Sequence, residues 1–133
     1  MRATIADQNG RPTKRILVVD DNRPSAQTLA WVMELNGYEV VACFDGPSAV
    51  QTAHDFHPDV VLLDLGMPKM DGYEVCKRLR EDQSLTGTVV IAQTGWGGET
   101  ERRRTAEAGF NHHLTKPLDF PALLKLIDDQ TVH

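Results

Sequence analysis

Asp20, Asp21, Asp64, Thr94 and Lys116 are the residues whose types and placement in this chain could do chemistry. Each follows a short run that reads as a strand: ILVV before Asp20, VVLL before Asp64, TVVIAQ before Thr94 and FNHHLT before Lys116. Three carboxylates brought together repel, and some take up protons unless a cation sits among them. Hard oxygen ligands with room for water suit Mg²⁺, which binds through one or two carboxylates plus phosphate oxygens. A cation, an ammonium and a hydroxyl around one carboxylate make surroundings for a dianionic phosphoryl group. A carboxylate can itself be the nucleophile that forms an acyl phosphate. Neutralising charge on the transferring group is then the main catalytic task, and Lys116 and a metal would share it. Gly66, two residues past Asp64, leaves its backbone carbonyl approachable.

The elements that must position these residues follow from hydrophobic periodicity. Residues Val60, Val61, Leu62 and Leu63 form a continuous apolar run, the pattern of a strand buried on both faces of a parallel sheet. Gly66, Pro68 and Gly72 then place Asp64 at the carboxyl end of that strand, with a loop beyond. The other predicted strands are 16–19, 38–44, 88–93 and 110–115. The predicted helices begin near Pro24, Pro47, Gly72, Glu99 and Asp119. Proline suits a first turn and Asp119 an N-cap, and Gly37 and Gly109 suit helix stops. Strand then helix, five times with short connections, predicts an α/β fold: one parallel sheet with helices on both faces. All strand carboxyl ends then share one edge, and ligands bind in the crevice beyond it.

At 133 residues the chain is one domain's worth, enough for a full core without staples. Residues 1–14 read as a mobile tail and 15–133 as the folded domain. A net charge of −5 argues against a nucleic-acid surface. No run is long enough for membrane insertion, and the first residues lack a signal peptide's apolar core. Cys43 and Cys76 fall in apolar-patterned segments as small core fillers, which suits a reducing cytoplasm. Arg102, Arg103 and Arg104 read as a solvated helix face balanced by Glu99, Glu101 and Glu107.

The motifs ILVVDDN, VVLLDLGMPKMDGYEV, VIAQTGW and HLTKP, in that order across about residues 15 to 129, resemble a response-regulator receiver domain of two-component signalling. The resemblance implies a flavodoxin-like sheet of order 2-1-3-4-5. It implies that Asp64 accepts a phosphoryl group from a sensor histidine kinase or a histidine phosphotransfer domain docked near the first helix, and later loses it by slow self-catalysed hydrolysis. Asp21, Asp64 and the Gly66 carbonyl would hold Mg²⁺ directly, with Asp20 reaching it through water. Thr94 would hydrogen-bond the phosphoryl oxygen, Lys116 would pair with it, and the bond before Pro117 would be cis. The chain would be a self-modifying switch rather than an enzyme with a separate substrate. Its unidentified output partner would meet the last two helices and strand five, and the phosphorylated form could dimerise. The chain would be a stand-alone receiver or one cut from a larger protein such as a hybrid kinase.

Two positions depart from the family pattern. His113 stands where Tyr or Phe is usual, so the switch that couples Thr94 to that ring is altered here. Its neighbour His112 should face the other way along the strand. Gly66 and Trp96 occupy the positions that tune loss of the phosphoryl group. Rival readings are a flavodoxin-type electron carrier, an aspartyl-phosphate phosphatase and a receiver used only as a scaffold. Asp20, Asp21 and Asn22 oppose the first, because they would repel a flavin phosphate. Glycine at position 66 opposes the second, where a second acid is wanted. The full acid set opposes the third.

Overall fold

A computed structural model describes residues 13–66, 71–95 and 97–130, with the side chain of Gln130 excepted. Most of the expected tail, together with Pro68, Trp96 and the last three residues, lies outside the described residues. The elements are β1 (Arg15–Val19), α1 (Arg23–Leu35), β2 (Glu39–Cys43), α2 (Gly46–Phe56), β3 (Val60–Asp64), α3 (Gly72–Glu81), β4 (Val89–Thr94), α4 (Glu99–Ala108), β5 (His112–Thr115) and α5 (Phe120–Gln130). All strand pairings are parallel, and the sheet order is β2-β1-β3-β4-β5.

The pleat divides the core into two layers. Ile16, Val18, Val60, Leu62 and Ile91 point to one face and pack with Ala26, Leu29 and Met33 of α1 and Leu123 and Ile127 of α5. Leu17, Val19, Val61, Leu63, Val90 and Ala92 point to the other and pack with α2 and α3. That is why β1 and β3 carry apolar side chains without alternation. Cys43 and Cys76 are both buried and free, filling the α2–α3 layer.

Local chemistry sets the helix starts. Asn22, Asp45, Asp71 and Asp119 each accept a hydrogen bond from a backbone N–H three residues on, at 3.0, 2.8, 2.8 and 3.1 Å. Each such cap satisfies a donor that the helix leaves orphaned. α4 begins at Gly98 with no side-chain cap.

The strands differ from expectation at their ends. Asp64 and Thr94 are the last residues inside β3 and β4, because the ladder runs one residue further than the apolar runs do. β2 is limited to the five residues that pair with β1, leaving Tyr38 and Phe44 outside. β5 starts two residues later than expected. Phe110 turns into the core against the edge of Tyr73, with ring centroids 6.1 Å apart. The Asn111 carboxamide oxygen accepts from the Val90 N–H at 2.7 Å, while the Asn111 N–H donates to Val90 O at 2.8 Å. A short 3-10 turn at Gln83–Leu85, unsignalled by periodicity, is held by Asp82 accepting from Ser84 N at 2.9 Å.

Candidate functional site

The carboxyl ends of β1 and β3 bring Asp20, Asp21 and Asp64 together. One carboxylate oxygen from each lies within 4.8 Å of the others, the one group of this kind among the described residues. Asp20 and Asp64 are buried, whereas Asp21 is exposed at the rim. Asp20 is aimed by two bonds. Its N–H continues the ladder to Cys43 O at 3.1 Å, and its carboxylate accepts from Asn22 N at 2.9 Å. Burial, aided by repulsion from Asp64, pushes the Asp20 carboxyl above its usual range.

Asp64 Oδ1 accepts from Lys116 Nζ at 3.2 Å and from Gly66 N at 3.3 Å. Lys116 reaches in from the loop after β5, with its side chain 40% exposed. Its backbone N–H donates to Thr94 O at 2.7 Å, which fixes the loop against β4, and the Lys116–Pro117 peptide is cis. Thr94 is buried at the end of β4, the strand beside β3. All five residues singled out from sequence therefore converge on one edge of the sheet, and the exposed Gly66 lies beside them.

The donor set fits a hard divalent cation. Three carboxylates face one ammonium, so the cluster carries excess negative charge, and oxygen is its only ligand atom. Asp20, Asp21, Asp64 and the carbonyl of Gly66 are the groups that could hold such an ion. Its positive charge would oppose the burial and the Asp64 repulsion that raise Asp20.

Beside this edge lies a cleft of about 320 Å³ lined in part by Asp64, Thr94, Tyr73, Glu101 and Arg104. The Tyr73 hydroxyl donates to Glu101, and the Arg104 guanidinium sits 4.0 Å from the Tyr73 ring centroid. Burial and the Glu101 carboxylate push the Tyr73 phenol up to about 12. The arginine run is exposed throughout, as sequence suggested, although two of its members also make contacts. Arg103 is exposed and lies 3.9 Å from Glu99, but Arg102 Nε donates to Gly97 O at 3.1 Å and Arg104 joins the cleft wall.

His113 faces the α2–α3 side, because it pairs with Ala92, whereas His112 pairs with Ile91 and faces the other. His113 Nδ1 lies 3.1 Å from Thr105 Oγ1. That hydroxyl donates its proton to Arg102 O at 2.9 Å, so Nδ1 carries the hydrogen and donates to it. Thr105 is the one buried residue of α4, and this bond ties α4 to β5. Sequence reasoning missed Thr105. It also passed over Gln93, a buried amide at the end of an otherwise apolar strand.

Comparisons with known proteins agree with this geometry. The family model described as "Response regulator receiver domain" matches residues 16–128. The chain is 30% identical over 115 residues to the polar-differentiation response regulator DivK of Brucella ovis, covering 86% of this chain and 94% of that protein. It is 39% identical over 105 residues to the response regulator PleD of Caulobacter vibrioides, covering 79% of this chain and 23% of that protein. Among solved structures, the Vibrio cholerae chemotaxis protein CheY4 superposes with a TM-score of 0.84 at 27% identity, covering 88% of this chain and 98% of that one. A response regulator from Chloroflexus aurantiacus gives 0.82 at 30% identity, covering 89% and 97%.

Proposed function

The chain belongs to the response-regulator receiver family of two-component signalling, and on that premise we propose that Asp64 is its phosphoacceptor. An Asp64 carboxylate oxygen attacks the phosphorus of a partner's phosphohistidine. The O–P bond forms as the N–P bond breaks, and the imidazole leaves with the electron pair and takes up a proton. Asp20, Asp21, Asp64 and the Gly66 carbonyl would hold Mg²⁺, which supplies positive charge against the transferring group. Lys116 supplies the second cation, already beside Asp64. The Thr94 hydroxyl donates to a phosphoryl oxygen, and His113 links β5, the strand beside β4, to α4 through Thr105. Hydrolysis later returns Asp64 to the carboxylate, so the protein turns over no separate substrate.

The observation that carries this reading is Lys116 Nζ at 3.2 Å from Asp64 Oδ1, within a cluster of three carboxylates. Carboxylates gathered only for solvation would stand apart from one another. The donor would be a sensor histidine kinase or a histidine phosphotransfer domain. Trp31 and Leu35, 62% and 67% exposed and one turn apart on α1, offer it two apolar anchors.

Intact mass after addition of acetyl phosphate and Mg²⁺ tests the proposal. The expected result is a gain of one phosphoryl group, absent with EDTA and absent in Asp64→Asn. No gain from acetyl phosphate and none from a histidine phosphotransfer protein would overturn it and favour a scaffold.

A further inference from the structure

Gln93 has no counterpart in the chemistry above. It is 2% exposed, and its Nε2 has no hydrogen-bond partner in the structure, alone in this among the buried side chains of the described residues. Nearly every buried amide in a folded protein is paired, so an orphan donor calls for a physical account.

Its place on the sheet supplies one. Gln93 is the register partner of Asp64 on the adjacent strand. The pleat puts it on the same face as Ile91, and puts Asp64 on the same face as Leu62; these two belong to one core layer. Asp20 follows Val18 on that face, and Leu114, the partner of Gln93 on the other side, packs there too. Gln93 therefore stands one strand over from the phosphoacceptor, between Asp64 and the strand that leads to Lys116. The layer it belongs to is otherwise apolar, and Asp64 is the carboxylate that faces it across the register. In the free protein Asp64 Oδ1 is already engaged by Lys116 and Gly66.

We propose that Gln93 is a positioning residue that acts through Asp64: its Nε2–H is a donor held unpaired in the free protein, and it hydrogen-bonds an oxygen of the Asp64 acyl group when that residue carries a phosphoryl group. The inference rests on the phosphoacceptor reading above. Loading redistributes the bonds at Asp64. One oxygen becomes the bridge to phosphorus and the other becomes a carbonyl acceptor. Lys116 is then drawn toward phosphoryl oxygens, which leaves the acyl carbonyl open to a neighbouring donor.

The test compares wild type with Gln93→Met, which keeps the chain length and removes the donor. The probe is beryllofluoride with Mg²⁺, which adds to a carboxylate as a phosphoryl mimic. Two quantities are read: the melting temperature of each protein without the probe, and its affinity for the probe. The expected result is that Gln93→Met melts higher than wild type when free, because an unpaired buried donor has gone. It should bind the probe about fivefold more weakly, the worth of one hydrogen bond. In wild type, the Gln93 side-chain amide proton signal should move downfield on loading. Gln93→Leu serves if Met does not fold.

Equal affinity in both proteins, or a free variant that melts lower, would overturn the proposal. The first outcome makes Gln93 a structural cost with no role at the site, and the second gives its amide a partner in the free protein. If wild type neither binds the probe nor gains a phosphoryl group from acetyl phosphate, the phosphoacceptor reading itself fails. The role of Gln93 then falls with it, a result distinct from either of the others.

Discussion

At the scale of single residues, the site depends on backbone held at close quarters as much as on its acids. A β-carbon on Gly72, the first residue of α3, would lie 2.6 Å from Leu65 Cδ2, 2.8 Å from Asp64 O and 2.9 Å from Leu65 Cα. Two of those atoms are backbone and cannot swing away, so glycine is what lets α3 seat directly against the end of β3. Gly72→Ala should therefore cost about 1–3 kcal/mol, as overpacking does, and should displace Asp64 as well. Chemical denaturation together with the rate of acetyl phosphate labelling reads both effects. A loss of stability with an unchanged labelling rate would uncouple this corner from the site. The acids, the hydroxyl and the ammonium were legible in sequence because each ends a strand-like run. Gly72 was read there as a loop marker and a helix start, not as a point of close packing. Gln93 was read as the end of a strand, because a lone amide gives no sign of whether it finds a partner.

At the scale of elements, α4 stands apart from the other helices. It lacks a side-chain N-cap, and its one buried residue is Thr105. What holds it is largely polar: Thr105 to His113, Glu101 to Tyr73, and Arg104 over the Tyr73 ring. A helix attached by few buried apolar contacts belongs to the low end of local stability. Thr105→Val keeps the shape and removes the hydroxyl, leaving His113 Nδ1–H without its acceptor. We expect a loss of about 1–2 kcal/mol, concentrated in α4, so that hydrogen exchange there speeds up while β1 and β3 stay protected. Equal acceleration throughout would place Thr105 in the global core. Sequence showed this helix as highly charged but not how it is fastened. Periodicity reports apolar faces and is blind to a threonine that meets a histidine from another strand. The strand order, by contrast, was accessible through the receiver resemblance, and the parallel layering through uninterrupted apolar runs such as VVLL.

At the scale of the whole molecule, distant segments are joined by a few charged or aromatic contacts at the rim. Arg80 of α3 donates to Gly109 O at 2.9 Å and Thr88 O at 2.8 Å, and reaches Asn111 as well. His54 of α2 meets Asp82 at 2.7 Å, just before the 3-10 turn. The hydrogen bond to Asp82 lifts the His54 imidazole above its ordinary 6.5. Bonds from Ser84 first, and from His54 second, lower the Asp82 carboxyl from 3.8 to about 2. For the histidine, the folded value exceeds the unfolded one, so its stabilisation is complete below pH 6.5 and fades as pH rises through the raised value. For the aspartate the order is reversed: its stabilisation is present above pH 3.8 and is lost as pH falls toward 2. Urea midpoints should thus be highest between about pH 4 and pH 6.5 and decline on the alkaline side. His54→Gln should flatten that alkaline decline. Its persistence in the variant would assign the pH dependence to other groups.

β4 ends in Gln93 and Thr94, neighbours in sequence that the pleat turns to opposite sides of the sheet. Thr94 shares its side with Ala92, and Gln93 shares its side with Ile91. On the reading proposed above, one peptide unit at the end of one strand would divide a single chemical event between two audiences. A phosphoryl group at Asp64 that draws on the hydroxyl would speak to the side of the sheet where His113 meets α4. One that draws on the amide would speak to α1 and α5 on the other. Silencing either channel by substitution should leave the other intact, so two binding partners on opposite flanks could respond to the same bond without competing for the same surface.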